Sequence, residues 1–226
     1  MTTHSAPSRD PGGTASGTEG AAFIGGHIAL DFANTVSDHA SESPRERLTG
    51  YADLVAWARR TGSLSAADAR ALEREARRHP ERAARALETT ITLREAVYRV
   101  FSALAHHRTP DSDDLAMLHA ARVRALEAAE PEWQQDRGLV LRWPNSPVDL
   151  ARPLHPILLA ACELLESPDL ERLRQCGNPP CGWLFIDRSR NGSRRWCSSA
   201  DCGNLSRVRR FRRRRASPST GEESRD

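Results

Sequence analysis

Four of the five cysteines crowd into twenty-seven residues near the end of a 226-residue chain. Cys176 and Cys181 form one pair with four residues between them. Cys197 and Cys202 form a second pair with the same spacing, fifteen residues further on. Thiolates in two short pairs, separated by enough chain for a hairpin, can be brought to about 2.3 Å from one tetrahedral zinc ion. Four cysteine ligands leave no open position for water, so the expected ion is structural rather than catalytic. Glycine follows Cys176, Cys181 and Cys202, and a positive φ there would let backbone N–H groups turn toward sulfur. A set of unrelated buried thiols and a redox cluster are the alternatives. Cys162 stands apart among Ile157, Leu158, Ala161, Leu164 and Leu165 and reads as an inert core thiol. An odd cysteine count and the absence of a secretory leader fit a reduced, cytoplasmic setting.

The charge distribution points to a partner. The net charge is +3, and all 33 basic residues are arginine. Residues 188–215 hold eleven arginines and one acid, Asp201, a balance of +10 against −7 for the rest. A basic patch on an acidic body usually meets a polyanion, and arginine suits forked contacts to phosphate and guanine. Arg194 and Arg195 fall between the cysteine pairs. After Cys202, helical spacing puts Arg207, Arg210 and Arg214 on one face and Arg209 and Arg213 on another. DNA is the expected partner of these seven; RNA, an acidic protein, or a merely solvated cationic tail are the other readings.

The elements that position these residues follow from periodicity. Residues 1–20 and 216–226 are polar, without an apolar pattern, and are expected to be disordered tails. An α-rich domain is expected over 21–166 and a zinc module over 170–215. Within the first, residues 28–36 form a short helix after Gly25-Gly26. A helix capped by Ser43 starts at Pro44 and stops at Gly62. Another opens at Ser65. A long one covers about Pro80 to His107 with Ala84, Leu87, Ile91, Leu93, Val97, Val100, Phe101 and Leu104 inward. A fourth covers Asp111 to Glu130 with Leu115, Leu118 and Leu126 inward. Gly138 to Trp143 reads as a strand and Pro156 to Glu166 as a helix. In the zinc module, Trp183 to Asp187 is a strand, Asn191-Gly192 a hairpin turn, and Arg194 to Trp196 the returning strand. Leu205, Val208 and Phe211 mark a helix whose apolar face can lie on Trp183, Phe185 and Trp196. The class is mainly α, with a minor β element and a small treble-clef-like finger built of a hairpin and a basic helix. So small a module would draw most of its folding energy from the metal. No apolar run reaches the length of a membrane span.

The segment Arg195-Trp196-Cys197-Ser198 … Cys202-Gly203-Asn204 … Arg207-Val208-Arg209-Arg210 resembles the CGNR zinc finger of bacterial proteins. Upstream, Gly25-Gly26-His27-Ile28-Ala29-Leu30-Asp31-Phe32-Ala33-Asn34-Thr35 resembles the start of the ABATE domain that precedes that finger, and Arg47-Leu48 … Tyr51-Ala52-Asp53-Leu54 … Trp57 and Leu93-Arg94-Glu95-Ala96 fit it too. The resemblance spans most of residues 22–212. It implies a zinc-dependent regulator of transcription linked to stress. One position departs: the arginine that names the finger is Leu205 here, so its contact is absent or passes to Arg207.

Asp31 and Asn34 share a helical face, and Arg94 interrupts an apolar stripe. Together they could line a pocket for a small polar ligand; the alternative is helix capping plus a buried ion pair. No Gly-rich phosphate loop, Ser-His-Asp order or paired catalytic carboxylates stand out, so the expectation is a DNA-binding regulator and not an enzyme, with a small-molecule-binding or enzymatic helical domain carrying an accessory finger as the further alternative. Its helical domain would sense a ligand or form a homodimer.

Overall fold

The computed structural model describes residues 23–144 and 148–216, with backbone alone at 213, 214 and 216. The tails assigned to 1–20 and 216–226 lie outside it, apart from the final helical residue, Ala216. The described chain is mainly helical. Helix α1 (Ile28–Ala33) is followed by two short strands, β1 (Val36–Ser37) and β2 (Arg45–Glu46), which pair antiparallel. Four helices come next: α2 (Tyr51–Arg60), α3 (Ala66–Arg78), α4 (Pro80–Ala105) and α5 (Ser112–Glu127). A hairpin of β3 (Glu130–Gln134) and β4 (Gly138–Arg142) leads to α6 (His155–Glu166). Strands β5 (Leu173–Gln175) and β6 (Leu184–Ile186) pair antiparallel, and α7 (Asn204–Ala216) ends the chain.

Local chemistry sets the helix starts. Ser65 caps α3 by accepting the Asp68 N–H at 3.1 Å, and Asp111 caps α5 by accepting the Asp113 N–H at 2.8 Å. Pro80 occupies the first turn of α4, where its missing N–H costs nothing. Helix α2 begins at Tyr51 and not at Pro44. Asp53 folds back to accept the N–H groups of Thr49 and Gly50, which fixes that start. The residues ahead of it are drawn into β2 instead, where Glu46 receives Arg94 and the N–H groups of Arg47 and Leu48.

Helix α1 sits at the centre of the core. Ala29, Leu30, Phe32 and Ala33 are fully buried among Trp57 and Leu54 of α2, Val97, Val100 and Phe101 of α4, and Ile157 and Ala161 of α6. The inward faces of two helices differ from expectation. In the first half of α4, Ala83 and Thr90 point inward while Ala84 is exposed. In α5 the inward line is Asp114, Leu118, Ala121 and Ala125, leaving Leu115 and Leu126 outside. Asp114 turns inward to meet Arg99 of α4, which sets the α5 face that packs on that helix.

Leu173, Leu184 and Ile186 belong to this one core. The finger's two strands therefore share the hydrophobic interior of the helical body, and at about 1.5–3 kcal/mol per buried side chain the metal is not their sole support. The strand partner also differs from expectation. Residues 194–196 are not a strand; β6 pairs with β5, in the register Leu173↔Ile186 and Gln175↔Leu184. Gly192 does turn the chain with φ +60°, but in a loop. The opposite edge of β6 is closed from α1. Asn34 Nδ2 donates to the Leu184 carbonyl at 2.8 Å and its Oδ1 accepts the Leu184 N–H at 2.9 Å, while the Gly25 carbonyl accepts the Ile186 N–H at 2.8 Å. A side-chain amide thus takes the place of a third strand.

Asn34→Ala leaves the buried Leu184 N–H and carbonyl without their side-chain partner. The expected loss is about 2–4 kcal/mol of unfolding free energy, read by urea titration; a loss below about 0.5 kcal/mol would show that the edge does not depend on this amide.

Candidate metal centre

The β5–β6 turn carries the first cysteine pair. Cys176 follows β5 and its N–H donates to the Trp183 carbonyl at 2.8 Å, which extends the ladder by one rung. Cys181 closes a tight turn with its N–H on the Asn178 carbonyl at 2.9 Å. Cys197 lies in the following loop. Cys202 lies in a wide helical turn, Ser199–Gly203, which runs into α7. All four thiols are buried, and their sulfurs lie within 4.8 Å of one another. Cys197 Sγ is 3.6 Å from the sulfurs of both Cys181 and Cys202. Ligands at about 2.3 Å on the corners of a tetrahedron stand about 3.8 Å apart, and a disulfide would need about 2.05 Å. The spacing fits a shared zinc ion and excludes bonded pairs. Among the described residues this is the one group of three or more side chains able to hold a metal.

As four thiols the cluster is electrostatically awkward. Hydrogen bonds from Cys181 and Cys197 hold Cys176 well below the ordinary thiol range. Cys181 and Cys197 are pushed up, chiefly by their bonds to Cys176. A divalent cation lets all four ionise together. The Cys197 N–H points at Cys176 Sγ at 3.4 Å, and buried Asn178 directs Nδ2 at Cys202 Sγ at 3.4 Å. Arg209 of α7 in turn donates to Asn178 Oδ1 at 2.7 Å. Such outer contacts orient ligands and stabilise the negative cluster.

The glycines serve space more than conformation. Gly182 alone among those after the cysteines has a positive φ, +68°. A Cβ at Gly177 would meet the Trp196 ring at 3.1 Å, and one at Gly203 would meet the same indole at 3.1 Å from another direction. The two Cys-Gly-Asn segments therefore pack against one tryptophan, and the Gly177 N–H on the Arg195 carbonyl at 2.9 Å ties the halves together.

Residues 172–215 match the CGNR zinc finger family, and residues 26–168 match the ABATE family, described as "Putative stress-induced transcription regulator". The chain belongs to the ABATE family. No curated protein matches it. In this ABATE chain the four cysteines are the zinc site of the finger, and no described helix is long and apolar enough to cross a membrane.

The arginines divide into two groups. Arg194 is built into the finger: it donates to the carbonyls of Ile24, Trp196 and Cys197, lies 4.1 Å from the Phe185 ring centre, and its N–H reaches Asp187. Arg209, itself exposed, is held by Asn178. Arg195, Arg207 and Arg210 are exposed; Arg195 rests over Trp196 at 5.6 Å. The side chains of Arg213 and Arg214 lie outside the described residues. The apolar side of α7 does not lie on Trp183, Phe185 and Trp196: Leu205, Val208 and Phe211 are 49%, 38% and 59% exposed. The Arg209–Asn178 bond turns a different face of the helix toward the finger, and the indole of Trp183 is already engaged by the Val36 carbonyl at 2.6 Å.

The ABATE motif residues Asp31, Asn34 and Arg94 each hold a separate protein partner. Asn34 closes β6. Arg94, 1% exposed, forks onto both oxygens of Glu46 at 2.7 Å and also reaches Thr35 and Glu95. Glu95 continues to His39 at 2.9 Å; burial opposes its charge, yet His39 and Arg94 pull its pKa down to about 2. The backbone N–H of His39 donates to the Cys181 carbonyl at 3.0 Å, so the residue that ends this network also borders the metal turn. Sequence alone singled out Arg94 but gave no role to Glu46 or His39, which come from parts of the chain about fifty residues away, nor to Glu95, whose place in the network depends on His39. Asp31 accepts the Gly25 N–H at 2.8 Å, and burial lifts its pKa to about 6.

Two outcomes follow from this geometry. Asn178→Ala should weaken zinc affinity by about 10–100-fold, measured by competition with a chromogenic chelator; unchanged affinity would remove Asn178 from the ligand support. Asp31 binds its proton more tightly folded than unfolded, so it makes stability fall as pH rises from about 4 to about 6. Asp31→Asn keeps the acceptor for Gly25 and should flatten that part of the stability curve; an identical slope in both proteins would contradict the assignment.

Proposed function

We propose that the protein is a zinc-dependent, DNA-binding transcription regulator acting in a reducing compartment such as the cytoplasm. The observation that carries this is a metal-anchored helix standing clear of an acidic body, with Arg207, Arg210, Arg212 and Arg215 exposed on it. Like charges crowded on one short helix repel each other, and a polyanion relieves that cost. Arg195 on the finger loop extends the same basic surface. In this reading Arg194 and Arg209 hold the surface in shape, Arg195, Arg207 and Arg210 meet phosphate, and Arg213 and Arg214 lengthen the basic run. The match to a regulator family supports a nucleic-acid partner.

The helical body then carries regulation and not chemistry, through a ligand or through a second copy of the chain. Dimerisation has a specific observation in its favour: the β3–β4 hairpin presents Trp133, 74% exposed, opposite Leu139, on a two-stranded element that is marginal alone. RNA or an acidic protein as the partner of the basic helix is the competing reading.

Arg207→Ala with Arg210→Ala should weaken binding to random-sequence duplex DNA and make the dependence of log affinity on log salt shallower by about two. The measurement is fluorescence anisotropy across a salt series, with structured RNA and an acidic protein as competitors. Unchanged affinity and slope, or preferential displacement by RNA or protein, would overturn the DNA assignment.

A further inference from the structure

On α7, successive residues turn by about 100°. Arg209 faces the finger, and Ser206 on that side is half-buried. Val208 and Phe211 face the other way, in a shallow groove that they line with Arg207, Arg212 and Arg215. The apolar strip is thus outward, with Arg207 on one flank and Arg212 on the other, and the Arg215 guanidinium lies 5.2 Å from the Phe211 ring centre. Exposed aliphatic and aromatic groups bounded by cations require a partner that is anionic at its edges and apolar along its middle.

We infer that Val208 and Phe211 read thymine: they contact C5-methyl groups on the floor of the DNA major groove, while Arg207 and Arg212 engage phosphates or guanine edges on either side. This rests on the DNA-binding reading above and names the residues that give it base preference. The major groove of B-form DNA is about 12 Å wide and admits a helix, and the thymine methyl is an apolar group displayed there. The major groove of duplex RNA is too deep and narrow for side chains to read, and uracil lacks the methyl. A second copy of α7 is a poor occupant, because it would bring Arg207, Arg212 and Arg215 of two helices against one another. The finger itself cannot cover the strip, since Arg209 and Asn178 hold the helix by its other side.

The test uses the zinc-loaded full chain and two pools of random duplex DNA that differ only in carrying dT or dU. Wild type should bind the dT pool about four- to fifteenfold more tightly, the scale of one or two buried methyl groups. Val208→Ala with Phe211→Ala, which keeps good helix formers, should bind both pools alike, at the wild-type affinity for dU, with the salt slope unchanged. Equal wild-type affinity for both pools overturns thymine reading and leaves DNA binding in place. A dT preference that persists in the double variant also overturns it, by assigning the methyl contact elsewhere. Binding to neither pool removes both the inference and the reading beneath it.

Discussion

Strand β6 has two edges, and the molecule depends on both being paired. A three-residue strand has too few hydrogen bonds to persist alone, and an open edge is a site for unwanted pairing. One edge takes β5. The other takes Gly25 and the amide of Asn34, so a helix supplies what a neighbouring strand would otherwise supply. This pairing locks α1 in the middle of the core, sets Trp183 on the Val36 carbonyl, and holds the cysteine turn at a fixed distance from α4. The Arg94–Glu46–Glu95–His39 network then reaches that turn from the opposite side. The buried guanidinium is tolerated because two half-buried carboxylates face it and every one of its nitrogens is engaged.

Arginines of identical chemistry fill opposite roles. Arg194 and Arg209 act inward, on carbonyls, a ring face and an asparagine. Arg195, Arg207 and Arg210 act outward. The difference comes from position around the metal. Arg194 reaches the carbonyls of Ile24, Trp196 and Cys197 and Arg209 reaches Asn178, whereas Arg195, beside Arg194 in the chain, points to the opposite side. The zinc cluster thereby orders its own surroundings: Cys202 fixes the start of α7, and Asn178 joins a ligand sulfur to Arg209 two turns later.

The cysteine pairs were readable from spacing, because metal coordination leaves a pattern in types and intervals. The caps at Ser65 and Asp111 and the proline at the head of α4 were readable for a similar reason: each acts within one turn of itself. The strand partner of β6 was not. Leu173 to Gln175 is too short to show alternation, and Arg194 to Trp196 looked equally suited to pair. The inward face of α4 begins at Ala83 and not Ala84, and that of α5 is Asp114, Leu118, Ala121 and Ala125 and not the line of Leu115 and Leu126, because periodicity gives the stripe's spacing but not which of two adjacent lines the neighbouring helices cover. Strand β3 was hidden by Pro131, a residue depleted in strands. The orientation of α7 also escaped, because one hydrogen bond between Arg209 and Asn178 decides it, and amphipathicity alone points the other way.

Leu173, Leu184 and Ile186 sit inside the same interior as α1, α4 and α6. Genes often trade small metal-binding units as interchangeable cassettes. That route is closed to this one: cutting between residues 168 and 172 would expose oil on both halves. A substitution in the ALDFANT segment, residues 29–35, therefore acts directly on the strand it borders, and one at Leu184 or Ile186 acts on α1.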